Sequence, residues 1–130
     1  MEINESSEIS IIVKEEDTAK SISTDPTDDF PAVYATSKMV AIMELAAARL
    51  MKPLLKDGEL SVGVDVNIKH LAPTPVGATV TAKATFLGMA GKLHQFKVEV
   101  HDNAGLAGTG DHTRAIVETA RLLAGAKKRF

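Results

Sequence analysis

The chain has no cysteine, no tryptophan, a single tyrosine and no long apolar run. Without cysteine it can form neither disulfides nor thiolate metal sites, and it has no cysteine nucleophile. A membrane-spanning helix needs about 20 consecutive, mainly apolar residues. The acidic start, Glu2 to Glu8, lacks the basic and then apolar order of a signal peptide. We therefore expect a cytoplasmic protein with no membrane association.

A basic surface for nucleic acid is also missing. The 15 lysine and arginine residues are outnumbered by 17 aspartate and glutamate residues, which gives a formal net charge of −2. This balance argues against a nucleic-acid partner. A length of 130 residues suits one domain, and no internal repeat or linker divides it. We expect a single domain over 1–130, with 1–7 and about 121–130 loose or peripheral.

The hydrophobic pattern predicts one strand, one long helix and then four strands. The helix pattern begins at Thr36 and Ser37, and Gly58 supplies a stop beyond its end. Alternation with a period of two follows, interrupted by turn-forming residues that indicate consecutive hairpins. A long helix with a mainly antiparallel sheet curled around it is an α+β domain. The predicted elements are Ser10 to Lys14, Thr36 to Leu55, Leu60 to His70, Ala78 to Leu87, Leu93 to His101, and a strand ending near Val117.

Glu44 lies in the most apolar part of the predicted helix. Its helical neighbours three and four residues away are Val40, Ala41, Ala47 and Ala48, none of which can neutralise its charge. A carboxylate in such surroundings either pairs with a residue from elsewhere in the fold or takes part in chemistry. The pattern leaves both interpretations open.

Two further polar residues are expected close to Glu44. Thr36 stands at the start of the helix, and His70 ends the strand that should cover it. Unless a bulge intervenes, His70 shares the inward phase of the valines in that strand. A hydroxyl, a carboxylate and an imidazole together suit an activated nucleophile or water. Equally, Thr36 could be an ordinary helix cap and His70 a hydrogen-bonded core residue.

The remaining histidines give weaker signals. His94 and His101 occupy opposite phases of one strand, and no acidic residue stands at a ligand spacing from them. We expect no metal site. His112 and Arg114 share a phase of the last strand, where Arg114 is either a surface residue or a polar group facing a pocket.

Several motifs resemble those of hotdog-fold acyl-CoA thioesterases, in particular the fluoroacetyl-CoA thioesterase group. The resemblance covers most of the chain, and Thr36, Glu44 and His70 stand at the spacing of that group's catalytic set. The motifs are Phe30-Pro-Ala-Val-Tyr-Ala-Thr36, Met39-Val-Ala-Ile-Met-Glu44, Ser61-Val-Gly63 through His70, Ala72-Pro-Thr-Pro75 with Gly77, and His112-Thr-Arg-Ala115.

The resemblance implies a hotdog fold, with about five strands wrapped around a central helix, and hydrolysis of a small or short-chain acyl-CoA. It implies an aromatic lid at Phe30, with Tyr34 helping to close the pocket, a glycine beside the acyl group at Gly63, and a pocket arginine at Arg114. A second lid aromatic is absent because Thr27 stands at its position. That difference predicts looser discrimination among acyl groups.

The same resemblance implies a homodimer joined at sheet edges, with a higher oligomer as the alternative, and no cofactor beyond the coenzyme A thioester as substrate. Backbone amides at the helix start would polarise the thioester carbonyl. Whether Thr36, Glu44 or water attacks stays open. The competing functions are a non-catalytic acyl-CoA or ligand-binding protein and a hotdog hydratase or dehydratase.

Overall fold

A computed structural model describes all 130 residues and contains one long helix, five strands and a short C-terminal helix. Three single-turn 3-10 segments lie between them. The main elements are β1 (Ser6–Ile12), α1 (Thr36–Met51), β2 (Glu59–His70), β3 (Thr79–Ala90), β4 (Leu93–Asp102), β5 (Gly105–Glu118) and α2 (Thr119–Lys128).

The five strands form one antiparallel sheet in the order β1-β3-β4-β5-β2. The hairpins β3–β4 and β4–β5 join neighbours in sequence, whereas β1 and β2 occupy the two edges. The sheet curves around α1, which contacts every strand. The predicted α+β architecture is therefore confirmed.

The core lies between α1 and the concave face of the sheet. The helix buries one broad side because apolar residues recur at three- and four-residue spacing, and β3 and β4 bury alternate residues. The buried helix residues are Met39, Ile42, Met43, Ala46, Ala47 and Met51. Facing them are Val80, Ala82, Ala84 and Phe86 of β3, and Phe96, Val98 and Val100 of β4.

The largest differences from the sequence prediction concern the first strand, the end of the long helix and the last residues of the chain. The first strand begins at Ser6 because its pairing with β3 extends beyond its apolar residues. The long helix ends at Met51 rather than Leu55, since Pro53 has no N–H to continue the hydrogen-bond pattern. The last residues form α2, an unpredicted helix whose residues are almost all exposed.

A bulge in β2 changes which residues face the helix. The register with β5 shifts between Gly63 and Asp65, so that Gly63 pairs with Arg114 and His70 with Gly108. Directly paired residues share a face of the sheet. The simple alternation that placed Val62 and His70 on one face is therefore wrong, because the extra residue reverses the phase. Gly63, His70 and Arg114 all face inward.

None of the helices is both long and apolar enough to span a lipid bilayer. The central helix is shorter than a membrane-spanning helix, and the C-terminal one carries Arg121, Lys127 and Lys128 among its exposed residues.

Candidate active site

Thr36 is the first residue of α1 but does not cap it. The capping position belongs to Ala35, which has extended backbone angles and makes no side-chain hydrogen bond to the helix. The capping interpretation of Thr36 is therefore wrong, and its hydroxyl is available for another partner.

That partner is His70 at the end of β2. Thr36 Oγ1 and His70 Nδ1 are hydrogen-bonded at 2.8 Å, although the residues lie 34 positions apart in sequence. The other ring nitrogen, His70 Nε2, is buried and has no hydrogen-bond partner. The pair is thus held together by the fold and keeps one polar atom unsatisfied, which is uncommon for a buried group.

The start of α1 leaves backbone donors free beside this pair. Met39 is the first helix residue whose N–H bonds within the chain, to the carbonyl of Ala35 at 3.0 Å. The N–H groups of Thr36, Ser37 and Lys38 have no acceptor in the protein. Free donors at a helix start, together with the helix dipole, stabilise negative charge.

An open cleft of about 360 Å³ contains the pair. Its walls are mostly apolar and come from the segments that precede α1 and follow β2. The lining residues are Ala19, Pro31, Val33, Tyr34, Thr36, His70, Leu71, Ala72 and Pro73. Thr36 is exposed, so its hydroxyl is open to solvent within this cleft.

Two aromatic residues were expected near the acyl pocket. Tyr34 lines the cleft but is almost wholly buried, and its hydroxyl donates to the carbonyl of Lys38 at 3.1 Å. Burial, assisted by the negative charge of Asp17, raises the pKa of Tyr34 to about 12. Phe30 is 49% exposed and does not line the cleft. The raised pKa keeps the Tyr34 phenol neutral at neutral pH, and Phe30 does not cover the cleft in this structure.

Glu44 has a partner on β5. Glu44 Oε1 lies 3.6 Å from a terminal guanidinium nitrogen of Arg114, whose side chain is only 8% exposed, whereas that of Glu44 is 39% exposed. The same carboxylate lies directly over Gly63, where any side chain would overlap with it. The carboxylate is therefore ion-paired on one side and open to solvent on another.

Arg114 is held by several groups in addition to Glu44. Its Nε donates to the Ser61 hydroxyl at 3.1 Å, and a terminal nitrogen donates to the Ser61 carbonyl at 2.9 Å. The other terminal nitrogen donates to His112 Nε2 at 3.2 Å. Burial lowers the pKa of Arg114 and Glu44 opposes that effect, but a guanidinium stays protonated at neutral pH. Arg114 is thus placed to hold the Glu44 carboxylate by charge attraction. It does not line the cleft that contains Thr36.

The two partners of His112 define its protonation state. Arg114 can only donate to Nε2, so His112 Nδ1 carries the proton and donates to the carbonyl of Asp65 at 2.9 Å. Burial lowers the pKa of His112 and Arg114 adds to that effect, while the hydrogen bond to the Asp65 carbonyl opposes it only in part. The ring is therefore neutral.

The structure thus divides the seven candidate residues into groups. Thr36 and His70 meet in the cleft with Tyr34 in its wall, whereas Glu44, Gly63 and Arg114 form a second cluster. Glu44 follows Thr36 by eight residues, about 12 Å along the helix axis. Phe30 belongs to neither group.

The sequence placed His112 in phase with Arg114, but it identified neither His112 nor Ser61 as a hydrogen-bond partner of Arg114. Ser61 shares the phase of Gly63, and His112 shares that of Arg114, so both follow from strand alternation once the pairing of β2 with β5 is known. The sequence alone does not give that pairing.

A long helix wrapped by a curved, five-stranded antiparallel sheet is the hotdog fold, which is also the fold of thioesterases. The model of the fluoroacetyl-CoA-specific thioesterase family matches residues 13–120. The chain belongs to this family.

Individual relatives agree with the family match. A fluoroacetyl-CoA thioesterase from Streptantibioticus cattleyicolor is 38% identical over 94 residues, which cover 72% of this chain and 68% of the relative. A solved structure of a fluoroacetyl-CoA thioesterase has a TM-score of 0.94 at 31% identity, covering 100% of this chain and 98% of that one. The structure of a thioesterase superfamily member from Thermus thermophilus has a TM-score of 0.88 at 27% identity. The match covers 98% of this chain and 91% of that one.

Proposed function

We propose that this protein hydrolyses a small or short-chain acyl-CoA and that Thr36, His70 and Glu44 carry out the reaction. The hydrogen bond between Thr36 and His70, beside free helix N–H groups, is the main support. A hydroxyl within 2.8 Å of an imidazole is the arrangement that activates a nucleophile. The family match supports the substrate class.

In the proposed first step, the Thr36 hydroxyl attacks the thioester carbonyl carbon and transfers its proton to His70 Nδ1. The carbonyl electron pair moves onto oxygen, where the free N–H groups of α1 stabilise it. Collapse of this intermediate breaks the C–S bond, and the proton passes from His70 to the departing thiolate. In the proposed second step, a water molecule attacks the acyl ester carbon and gives a proton to a Glu44 carboxylate. The departing Thr36 oxygen takes up that proton as the ester bond breaks and the acid is released.

A thiolate is a good leaving group because its conjugate acid has a pKa of about 8.5. The reaction therefore depends more on attack and oxyanion stabilisation than on a strong general acid.

We propose that the reaction uses no metal or cofactor and takes place in the cytoplasm. No group of three or more metal-ligating side chains is clustered in the structure, and we expect a chelator such as EDTA to leave turnover unchanged.

The separation of Glu44 from Thr36 supports a site shared by two subunits. β2 is an unpaired edge of 12 residues, and a second copy could protect it. Two copies of one strand that pair antiparallel about a two-fold axis bring opposite ends together. An axis near the strand centre, between Val66 and Asn67, would place Gly63 opposite His70 of the partner subunit. Glu44 above Gly63 would then approach the partner's Thr36 and activate water there.

The first experiment measures thiol release from a panel of acyl-CoAs, with acetyl, haloacetyl, branched, aromatic and longer chains. We expect turnover with a small acyl group and a loss of at least about a hundredfold in Thr36→Ala, Glu44→Gln and His70→Ala. Ser37→Ala, at the next helix position, and His101→Ala, an exposed strand histidine, are matched controls. No thiol release across the panel, or full activity in the three variants, would contradict the proposal.

The second experiment tests the shared site by mixing inactive subunits. A heterodimer of Glu44→Gln and His70→Ala subunits has one site with both substitutions and one site with neither. Free exchange in an equal mixture makes about half of the dimers heterodimers, each with one intact site, so we expect mixing to restore about a quarter of the wild-type activity, with a dimer mass in light scattering. If each site lies within one subunit, every site carries a substitution and mixing restores nothing.

A further inference from the structure

The segment that follows His70 contains a buried threonine between two prolines. Thr74 is wholly buried in the sequence Pro73-Thr74-Pro75. The prolines have no N–H groups, so this stretch has fewer backbone donors with which to attach itself to the fold. The position of this stretch therefore depends on other hydrogen-bonding groups, and Thr74 supplies two, its hydroxyl and its carbonyl.

The hydroxyl of Thr74 donates to Asp102 Oδ2 at 2.6 Å. Asp102 ends β4, and its other oxygen accepts from the N–H groups of Ala104 at 2.8 Å and Gly105 at 3.2 Å. The hairpin turn thus holds the Asp102 carboxylate in place, and its second oxygen accepts the hydrogen bond from Thr74. Because the acceptor is charged, this hydrogen bond is of the stronger kind.

The carbonyl of Thr74 makes a contact in the opposite direction. It accepts the N–H of Tyr34 at 2.8 Å, and the adjacent residues Val33 and Pro75 form an antiparallel bridge. Tyr34 stands two residues before Thr36, and Thr74 four residues after His70. A single buried residue therefore connects the β4–β5 turn with both chain segments that carry the Thr36–His70 pair.

We propose that Thr74 and Asp102 form a positioning pair that maintains the hydrogen-bond distance between Thr36 and His70. Neither residue lines the cleft that contains that pair, so both act through backbone placement. This inference rests on the proposed function of Thr36 and His70. Small displacements matter because a shift of about 1 Å in reacting groups can lower a rate about a hundredfold.

Thr74→Val removes only the hydroxyl, whereas Thr74→Ser keeps it. We expect Thr74→Val to lower kcat by about ten- to a hundredfold with little change in KM, and Thr74→Ser to retain most of the turnover. Thr81→Val is the matched control, because the Thr81 hydroxyl bonds Ser10 at 2.7 Å between strands and lies outside the cleft. Thermal unfolding of each variant establishes that it is folded at the assay temperature.

Two double variants separate positioning from general stability. Thr74→Val and Asp102→Ala both remove the hydrogen bond between these two residues, and Asp102→Ala also removes the acceptor of the Ala104 and Gly105 N–H groups. The double variant should therefore lose no more turnover than the more damaging single change. In a His70→Ala background, Thr74→Val should have no further effect on the residual thiol release. If Thr74→Val does not fold, Asp102→Ala, which changes a surface carboxylate, is compared with Thr81→Val instead.

The inference is overturned if Thr74→Val, or Asp102→Ala in its place, lowers turnover no more than Thr81→Val. It is also overturned if the loss is equally large in the His70→Ala background. Full turnover of the His70→Ala single variant would instead refute the proposed function on which the inference rests.

Discussion

Substitution of Gly63 by alanine should disable catalysis while leaving the fold largely intact. A Cβ atom at this position would overlap with Glu44 Oε1 and would lie 3.3 Å from His112 Cε1 and 3.6 Å from a terminal nitrogen of Arg114. Glu44 Oε1 is the end of a flexible, partly exposed side chain, so the carboxylate can move away. It would then leave the position that Arg114 defines.

The expected effects on stability and activity differ in size. Crowding in a packed region destabilises by about 1–3 kcal/mol, and the lost ion pair adds at most about 1 kcal/mol because Glu44 is partly exposed. Since Glu44 can move, we expect the free energy of unfolding to fall by about 1–2 kcal/mol. A displacement of about 1 Å should lower kcat about a hundredfold, equivalent to about 2.7 kcal/mol in the activation free energy.

Thiol-release kinetics and urea unfolding measure these two quantities in the same preparation. Gly125→Ala is the control, since Gly125 lies in the exposed helix α2 with no atom near an added Cβ. That change should leave kcat unaltered and, by raising helix propensity, leave stability equal or slightly higher. Full activity of a folded Gly63→Ala protein would show that the position of the Glu44 carboxylate does not matter for turnover.

Three further predictions concern single side chains. The buried, neutral Tyr34 should make the free energy of unfolding fall as the pH rises from about 10 through about 12, and Tyr34→Phe should weaken that dependence in alkaline denaturation. His112 should stay neutral and Nδ1-protonated in nitrogen NMR at pH 6.5, and stability should decrease as the pH falls below its unfolded pKa of about 6.5. A protonated ring in the folded protein at that pH would contradict this assignment. Thr27→Phe should raise the ratio of kcat/KM between small and longer acyl-CoAs several-fold, and an unchanged ratio would remove Thr27 as a selectivity residue.

The sequence alone predicted the five strands, the long helix and their order along the chain. Helical periodicity with small and apolar residues predicted α1, and alternation with turn residues predicted the four later strands, because these signals depend on neighbours in sequence. It also singled out Glu44 as a carboxylate without a local counter-charge. The helix α2 was not predicted, because its ten residues bury no side chain and were interpreted as part of a solvated chain end.

Tertiary structure decided which polar residues meet. The hydrogen bond between Thr36 and His70 spans 34 residues and needs Ala35, rather than Thr36, at the capping position. The pairing of Glu44 with Arg114 depends on the register of β2 and β5 and on one bulge, which turns Gly63 inward. A single extra residue in a strand reverses every side chain beyond it. Sequence patterns could therefore identify the chemical groups, but only the folded register determined which of them are in contact.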